Sequence, residues 1–322
     1  MAAGVVLRNA ELVRVIASYE AGVYADVRAC LRCVHEASCS LLRPSAFRHP
    51  WLLRLVPFYD ALDQQLAAFA AAFAPWLAQW GVRRLHRLVA CDDNMRFVLL
   101  THAVAVNDEV LLASILASPA MCPTDTLPFT HAIELGAWKG HVKVVQMLLL
   151  RKDHRCTASA LDLAARAGHL PMVQSLHTRG YEATRRAMDD AATRGHIKIV
   201  RFLHDVRREG CSTDAMDGAA ANGHLNVVAF LHDHRRESCT VRAMDEAAAN
   251  GHLTVVDFLH RFRHEGCSTR AIDGASFHGH LDVVRFLLTH RREGGSREAI
   301  IGAQQRHHSA IVALLSAATL TM

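Results

Sequence analysis

Aromatic residues are scarce in this chain and make up only 6% of its 322 residues. A core must therefore come mainly from Ala, Leu, Val and Met, which suit helices. The chain also lacks a large excess of one charge, because its net charge is only +5. So small a positive charge is a weak argument for nucleic-acid binding. Since 51% of the residues are hydrophobic, we expect a folded helical protein of about two domains.

A secretory leader is also lacking, because the first twenty residues already carry Arg8, Glu11 and Arg14. The nine cysteines are an odd number, which predicts free thiols in a reducing, intracellular compartment, cytoplasmic or nuclear. The longest uncharged stretch, residues 66–82, is interrupted by Pro75 and is shorter than the ~20 residues of a membrane span. We expect a buried pair of helices there and no membrane association.

Common catalytic motifs are absent as well. The phosphate loop GxxxxGK[ST], the GxGxxG turn and the zinc motif HExxH do not occur. Residues 274–279 (GASFHG) come near a nucleophile elbow, but their spacing is wrong. The sequence therefore predicts no enzyme activity, no catalytic residues and no cofactor.

The dominant feature that is present is an internal repeat. Gly-His pairs begin at Gly140, Gly168, Gly195, Gly223, Gly251 and Gly279, at steps of 28, 27, 28, 28 and 28 residues. One further step reaches His307-His308, and a step of 33 backwards from Gly140 reaches Asn107. We therefore expect about eight units in a repeat domain of residues 96–322, with degenerate end units, after an N-terminal helical region of residues 1–95.

Each unit has the pattern of two helices. In TDAMDGAAAN, Ser212 or Thr213 can cap a short first helix, and Gly223 can end it in a left-handed conformation. LNVVAFLHDHRRE then has Leu225 and Val228 on one apolar stripe of a second helix. Because such a unit cannot bury its apolar face alone, the units must stack.

This unit resembles the ankyrin repeat, through AAANGHLNVV, AARAGHLPMV and WKGHVKVVQMLLL. The resemblance implies an all-α, ankyrin-type helix-turn-helix solenoid that binds a partner protein on its concave face. Two features differ from the family. An acidic residue replaces the His of the TPLH motif, and the unit is about five residues shorter, which predicts short loops without hairpins.

Three side chains recur once per unit. The His residues of neighbouring units lie one helix spacing apart, ~8–10 Å, which is too far for two of them to share a metal ion. We therefore expect each His to bond a backbone carbonyl or a neighbouring unit. An acidic residue recurs at Glu134, Asp162, Asp189, Asp217, Asp245 and Asp273, where it can cap and stabilise the first turn. Cys156, Cys211, Cys239 and Cys267 are expected to be small buried hydrophobic residues.

A second cluster of possible metal ligands is CLRCVHEASC, with Cys30, Cys33, His35 and Cys39. If the segment is one helix, Cys33 and His35 point about 200° apart and cannot converge on an ion. We therefore expect thiols that face a helical core, and no metal site.

The N-terminal segment resembles an F-box. The residues that match are Glu11-Leu12, Ile16, Ser18-Tyr19, Asp26-Val27 and Trp51, with Ser18-Tyr19 at the end of the first helix. The resemblance implies a substrate adaptor that docks on a Skp-type subunit of a ubiquitin ligase through residues 7–51. The alternative is a helical cap over the open apolar face of the first repeat.

Candidate binding residues are those positions of the first helices at which the units disagree, because the framework positions barely vary. They are Leu135, Trp138, Lys139, Arg166, Asp190, Thr193, Arg194, Asn222, Glu246, Asn250, Phe277, His278, Gln305 and Arg306. Trp138 and Phe277 are the large apolar members, and Trp and Arg are enriched in interface hot spots. The alternative is an unconstrained solvent-facing surface.

A distant alternative is nucleic-acid binding by a convex ridge of arginines, from the runs VRREG, HRRES, FRHEG and HRREG. Each run also contains Glu, and we expect no interleaved aromatic stacking residues. Nucleic acid is therefore disfavoured as the partner.

Overall fold

The computed structural model describes residues 19–20, 23–35, 56–92, 94–118, 127–150 and 157–319, and this part of the chain is almost entirely helical. It forms two compact units, residues 1–157 and residues 158–322. The expected boundary after residue 95 follows the repeat pattern, whereas the boundary of the compact units lies after the second helix pair of the repeat region. The expected domain division remains a prediction.

The first unit contains two short strands, β1 (Tyr19–Glu20) and β2 (Val23–Tyr24), paired antiparallel. Single 3-10 turns lie at Ala25–Val27 and Val82–Arg84. Its helices are α1 (Arg28–His35), α2 (Val56–Trp80), α3 (Leu85–Cys91), α4 (Asn94–Ala105), α5 (Glu109–Ala117), α6 (Leu127–Lys139) and α7 (Val142–Leu149).

Helix α2 continues through Pro75, so the expectation of a helix pair in this stretch is wrong. Phe69, Phe73 and Trp76 are buried along one side of it. Phe69 and Phe73 hold the ring of His102 of α4 edge-on, at centroid distances of 5.4 and 5.3 Å. Packing on both sides of Pro75 thus keeps the helix continuous. Among the described helices, none is long and apolar enough to cross a membrane.

The N-terminal segment agrees only partly with the sequence. Tyr19, expected at the end of a helix, instead pairs with Tyr24 in the short strands. Cys30, Cys33 and His35 do share one helix, α1, and Cys30 is buried. Most of residues 7–51, including Cys39 and Trp51, lies outside the described residues, so the docking of a Skp-type subunit stays a prediction.

The second unit contains twelve helices in alternating short pairs. They are α8 (Ala158–Ala167), α9 (Leu170–Thr178), α10 (Arg186–Thr193), α11 (Ile197–Val206), α12 (Thr213–Ala221), α13 (Leu225–His234), α14 (Val241–Ala249), α15 (Leu253–Phe262), α16 (Arg270–His278), α17 (Leu281–His290), α18 (Arg297–Gln305) and α19 (Ser309–Thr319). Counted over the described residues, two helix pairs belong to the first unit (α4–α5 and α6–α7) and six to the second.

Each pair turns at one residue with a left-handed backbone, which we call the corner residue. Gly223 has φ 76°, as expected, and the degenerate positions Asn107 and His307 have φ 58° and 61°. At the corner, Gly223 N donates to Ala220 O at 3.1 Å and His224 N donates to Ala219 O at 2.9 Å. These bonds satisfy the last carbonyls of the first helix and fix the direction of the second.

At six corners, the residue that follows is a His that joins two pairs, namely His141, His196, His224, His252, His280 and His308. The ring of His252 lies against Gly223 of the preceding pair so closely that a Cβ on Gly223 would be 2.6 Å from Nδ1. His196 Nε2 lies 3.2 Å from Arg166 O, which confirms the expected bond to a backbone carbonyl. Burial lowers the pKa of His196 below its usual value, so the neutral ring is favoured there.

The recurring acidic residue also joins pairs, by what we call the acid–hydroxyl link. Asp217 accepts hydrogen bonds from Thr240 N at 2.8 Å and from Thr240 Oγ1 at 2.6 Å, 23 residues further along. Asp162, Asp189 and Asp245 bind Thr184, Ser212 and Ser268 in the same way. The expected role in the first turn of its own helix is wrong for Asp162, Asp217 and Asp245, because each is the fifth residue of its helix.

Two of the three described members of the cysteine series are buried as expected, whereas Cys267 is only half-buried and Cys156 lies outside the described residues. Cys211 and Cys239 are buried next to the linked Ser or Thr, and burial raises the pKa of each thiol to about 11. Both are free thiols. They therefore pack as small apolar groups that resist ionisation.

We predict that Gly223→Ala destabilises the protein more than Gly180→Ala. Both glycines have positive φ, 76° and 78°, so each change costs roughly 1–2 kcal/mol of backbone strain. Only at Gly223 does the new Cβ meet the ring of His252, which adds ~1–3 kcal/mol. Urea denaturation followed by circular dichroism measures both, and His252→Ala should remove the difference. Equal losses would mean that the ring does not hold this joint.

We predict that Asp217→Asn costs ~2–3 kcal/mol, because an amide cannot accept both bonds from Thr240. The matched control is Asp214→Asn in the first turn of the same helix, where the side chain is 72% exposed and a loss below ~0.5 kcal/mol is expected. Denaturation midpoints compare the two. If the carboxylates acted only through the helix dipole, the two losses would be similar.

Candidate protein-binding surface

The candidate binding residues lie towards the end of the first helices, and their exposure differs. Six are exposed: Arg194, Asn222, Asn250, His278, Gln305 and Arg306. Seven are half-buried: Trp138, Lys139, Arg166, Asp190, Thr193, Glu246 and Phe277. Leu135 is only 2% exposed, because α6 is buried on all sides from His131 to Ala137, and the expectation that Leu135 faces solvent is wrong.

Several half-buried members pack against the neighbouring first helix. Thr193, two residues before its corner, faces Gly218, five residues before the next corner, where an added Cβ would lie 2.1 Å from Thr193 Oγ1. Phe277 faces Gly302 in the same way, at 3.2 Å. We call the position two residues before a corner the first position, and the position five residues before the next corner the second position. In both cases a large side chain at the first position stands opposite a glycine at the second.

The complementary case is found one pair along. Ala221 occupies the first position there and Glu246 the second, so a small residue precedes a large one. Glu246 also accepts from Arg242 at 3.1 Å. At these three joints a large residue at one position thus accompanies a small residue at the other.

A charged version of the same pair is Arg166 with Asp190. Burial raises the pKa of Asp190 above its ordinary value, and Arg166, Arg186 and Arg194 oppose that rise. The carboxylate is thus held among three guanidinium groups. Packing therefore partly determines which residues occupy these positions. The expectation from the sequence, that only binding makes them vary, was wrong.

Lys139 also has a structural role within the first unit. Its ammonium group forms an ion pair with Asp63 of α2. Lys139 is half-buried, so this contact fixes α6 to the long helix. It leaves Trp138, also half-buried, as the large apolar candidate of this unit.

The exposed candidates have local contacts that leave their side chains accessible. Asn222 Nδ2 donates to Gly218 O at 2.9 Å, and Asn250 Nδ2 donates to Ala221 O at 2.8 Å. Arg306 lies over the ring of Phe277, 4.5 Å from its centroid. The surface presented along the second unit is therefore polar and ordered, with an Arg at each end.

The loop side carries arginines of two kinds. The first Arg of each run pairs with the Glu two residues later, as in Arg207–Glu209 and Arg235–Glu237, and is mostly buried, with 11% and 17% of these two side chains exposed. The second, such as Arg208 and Arg236, is exposed. Contrary to expectation, ring side chains do accompany these runs, since Phe262 is 52% exposed beside Arg263. The pairing with Glu nevertheless halves the positive charge of this ridge.

No group of three or more His, Cys, Asp or Glu side chains within the described ranges is placed to hold a metal ion. No protein-family model matches the chain, and no curated protein matches it significantly. The case for function therefore comes from the geometry of the surface itself.

We predict that Gly218→Ala destabilises the protein by ~1–3 kcal/mol, because the new methyl group meets Thr193 Oγ1. The hydrogen bond from that hydroxyl to Asp189 O, 2.9 Å long, fixes its position. In a Thr193→Ala background the same change should cost less than ~1 kcal/mol, since only the Cβ of residue 193, 3.0 Å away, remains close and Ala favours helices more than Gly. A double-mutant cycle by chemical denaturation measures this coupling. Additive effects would show that the two positions are independent.

Proposed function

We propose that this chain is a protein-binding scaffold of the ankyrin-repeat type, with its partner on the face formed by the first helices. Three features support the ankyrin-repeat type. They are the paired short helices, the left-handed Gly-His corner and the His that joins neighbouring pairs. The loops between pairs of the second unit, such as residues 207–212, contain no strand, as a unit shorter than the family's would require.

The packing of the second unit supports a concave first-helix face. Its first helices meet through small residues, as where Gly274 approaches Ala249 so closely that a Cβ would lie 2.6 Å away. Its second helices meet through rings, as in His204 with Phe230 at 5.5 Å and His232 with Phe258 at 5.6 Å. Small residues on one side and rings on the other curve a stack towards the side of the small residues.

The observation that carries the proposal is a row of exposed side chains whose identity changes while the framework beneath them does not. The residue just before the corner is Arg194, Asn222, Asn250 and His278 in four successive pairs, and exposed in each. Packing demands no change at this position, since every variant stands over the same corner. A surface of this kind can be specific for one partner while the repeat keeps its fold.

A paired set of charge reversals tests the proposal. Arg194→Glu with Arg270→Glu alters two exposed residues of the first-helix side, and Arg208→Glu with Arg236→Glu makes the same change on the loop side. We expect the first variant to lower partner recovery at least tenfold and the second to leave it within twofold, because exposed Arg is a frequent interface anchor.

Quantitative mass spectrometry after affinity purification of the full chain measures recovery, and circular dichroism checks that both variants remain folded. The opposite pattern would place the partner on the arginine ridge. Recovery of Skp-type subunits with both variants would show that the N-terminal region docks them independently of this face.

A further inference from the structure

Ser238 breaks the pattern of the loops in the second unit. The other loops have a glycine at this position, Gly180, Gly210, Gly266 and Gly294, each with positive φ. Ser238 has no positive φ and its residue is exposed. This loop therefore presents an accessible hydroxyl where the other described loops of this unit present only backbone.

The hydroxyl of Ser238 lies between two opposite charges of the next loop. Ser238 Oγ donates to Glu265 Oε1 at 2.7 Å, and Arg263 Nη2 donates to Ser238 Oγ at 2.7 Å. Arg263 and Glu265 also form an ion pair with each other. Ser238 thus bridges two neighbouring helix pairs at their loop edge.

The charge balance of this bridge shows in the pKa of Glu265. Burial acts to raise it, but the hydrogen bonds from Arg263 and Ser238 outweigh burial and lower the pKa to about 2. Glu265 is therefore a stable anion beside Ser238, and Arg263 is the cation that any new negative charge on Ser238 would meet first.

The residues before Ser238 complete the pattern. Arg235 and Arg236 stand three and two positions before it, and this Arg-Arg-x-Ser arrangement occurs once in the chain. Residues 235–240 are in no helix or strand, and Arg236 is exposed. Arg235 pairs with Glu237 of the same loop and also lies against Gly210 and Cys211 of the preceding loop, so a kinase can read Arg235 only when this loop leaves those contacts. Enzymes that select substrates by charge can read such a loop.

We propose that Ser238 is a phosphorylation site for an arginine-directed serine/threonine kinase, and that the phosphoserine takes Arg263 away from Glu265. In the reaction the Ser238 hydroxyl oxygen attacks the γ-phosphorus of ATP, ADP leaves, and the hydroxyl proton passes to the base of the kinase. The product carries nearly two negative charges and three acceptor oxygens, which suit a guanidinium group. Glu265 is repelled by the same charge.

The other loop hydroxyls do not offer the same chemistry. Ser212 and Ser268 donate to Asp189 and Asp245 in the acid–hydroxyl links and accept from the backbone of their own helices. A phosphate there would lie against a carboxylate, with no arginine two or three residues before it. Modification should therefore favour Ser238 over Ser212 and Ser268.

The first test incubates the full chain with ATP and the catalytic subunit of a kinase that prefers Arg two and three residues before Ser. We expect one phosphate per chain, located on Ser238 by peptide mass spectrometry, and none there in Ser238→Ala. Thr289→Ala is the control, since its exposed hydroxyl donates to Arg285 O of its own helix, and it should incorporate as the wild type does, while Arg236→Ala should react at least tenfold more slowly. No incorporation, or equal incorporation by Ser238→Ala, overturns the proposal.

The second test examines the pairing with Arg263 by phosphorus NMR of the modified protein. The second pKa of phosphoserine is ordinarily about 6. We expect it to fall by at least half a unit, to return towards 6 in Arg263→Gln, and to fall further in Glu265→Gln, where the repelling charge is gone. An unshifted value in the wild type overturns the proposed transfer of Arg263, and it does so without relying on a variant that might not fold.

Discussion

The acid–hydroxyl link is the interaction on which the rest of the repeat structure depends. In each complete link one carboxylate accepts from the backbone N–H and from the hydroxyl of a residue 22 or 23 positions later, as Asp245 does from Ser268 at 2.7 and 2.6 Å. The same hydroxyl accepts from the N–H of Arg270, the first residue of α16, 3.2 Å away. One Ser or Thr therefore caps its own helix and fixes the position of that helix on the previous one, so capping and stacking cannot vary separately.

That constraint explains how much of the surface the framework determines. With the first helices held at a fixed spacing, the side chain at one facing position limits the size of the other, as Thr193 does at Gly218. Residues just before the corner face no such limit, because Arg194 and Asn222 stand in solvent. Only the second kind can change freely, and a search for binding residues among the variable positions of a repeat has to separate the two kinds first.

The sequence predicted the features that depend on local backbone geometry. Gly223 could be placed at a left-handed corner because glycine favours that conformation, and its equivalents followed from the period. The partner of Asp217 could not be found in this way, because Thr240 is 23 residues distant and meets it only after two helices have packed. Leu135 and Lys139 were misjudged for the same reason, since one is covered by neighbours of α6 and the other is paired with Asp63 of α2.

The last pair, α18–α19, lacks the acidic side of the link and so shows what the link requires. Ile301 stands where the six pairs before it have their acid, and it is 43% exposed. His307, with a left-handed φ of 61°, stands where a glycine would receive the ring of a following pair. Yet Ser296 still caps α18, and its N–H donates to Asp273 at 2.8 Å. This pair can thus be joined to the one before it but offers no acid or glycine to one after it. Each joint is therefore encoded by two neighbouring units together.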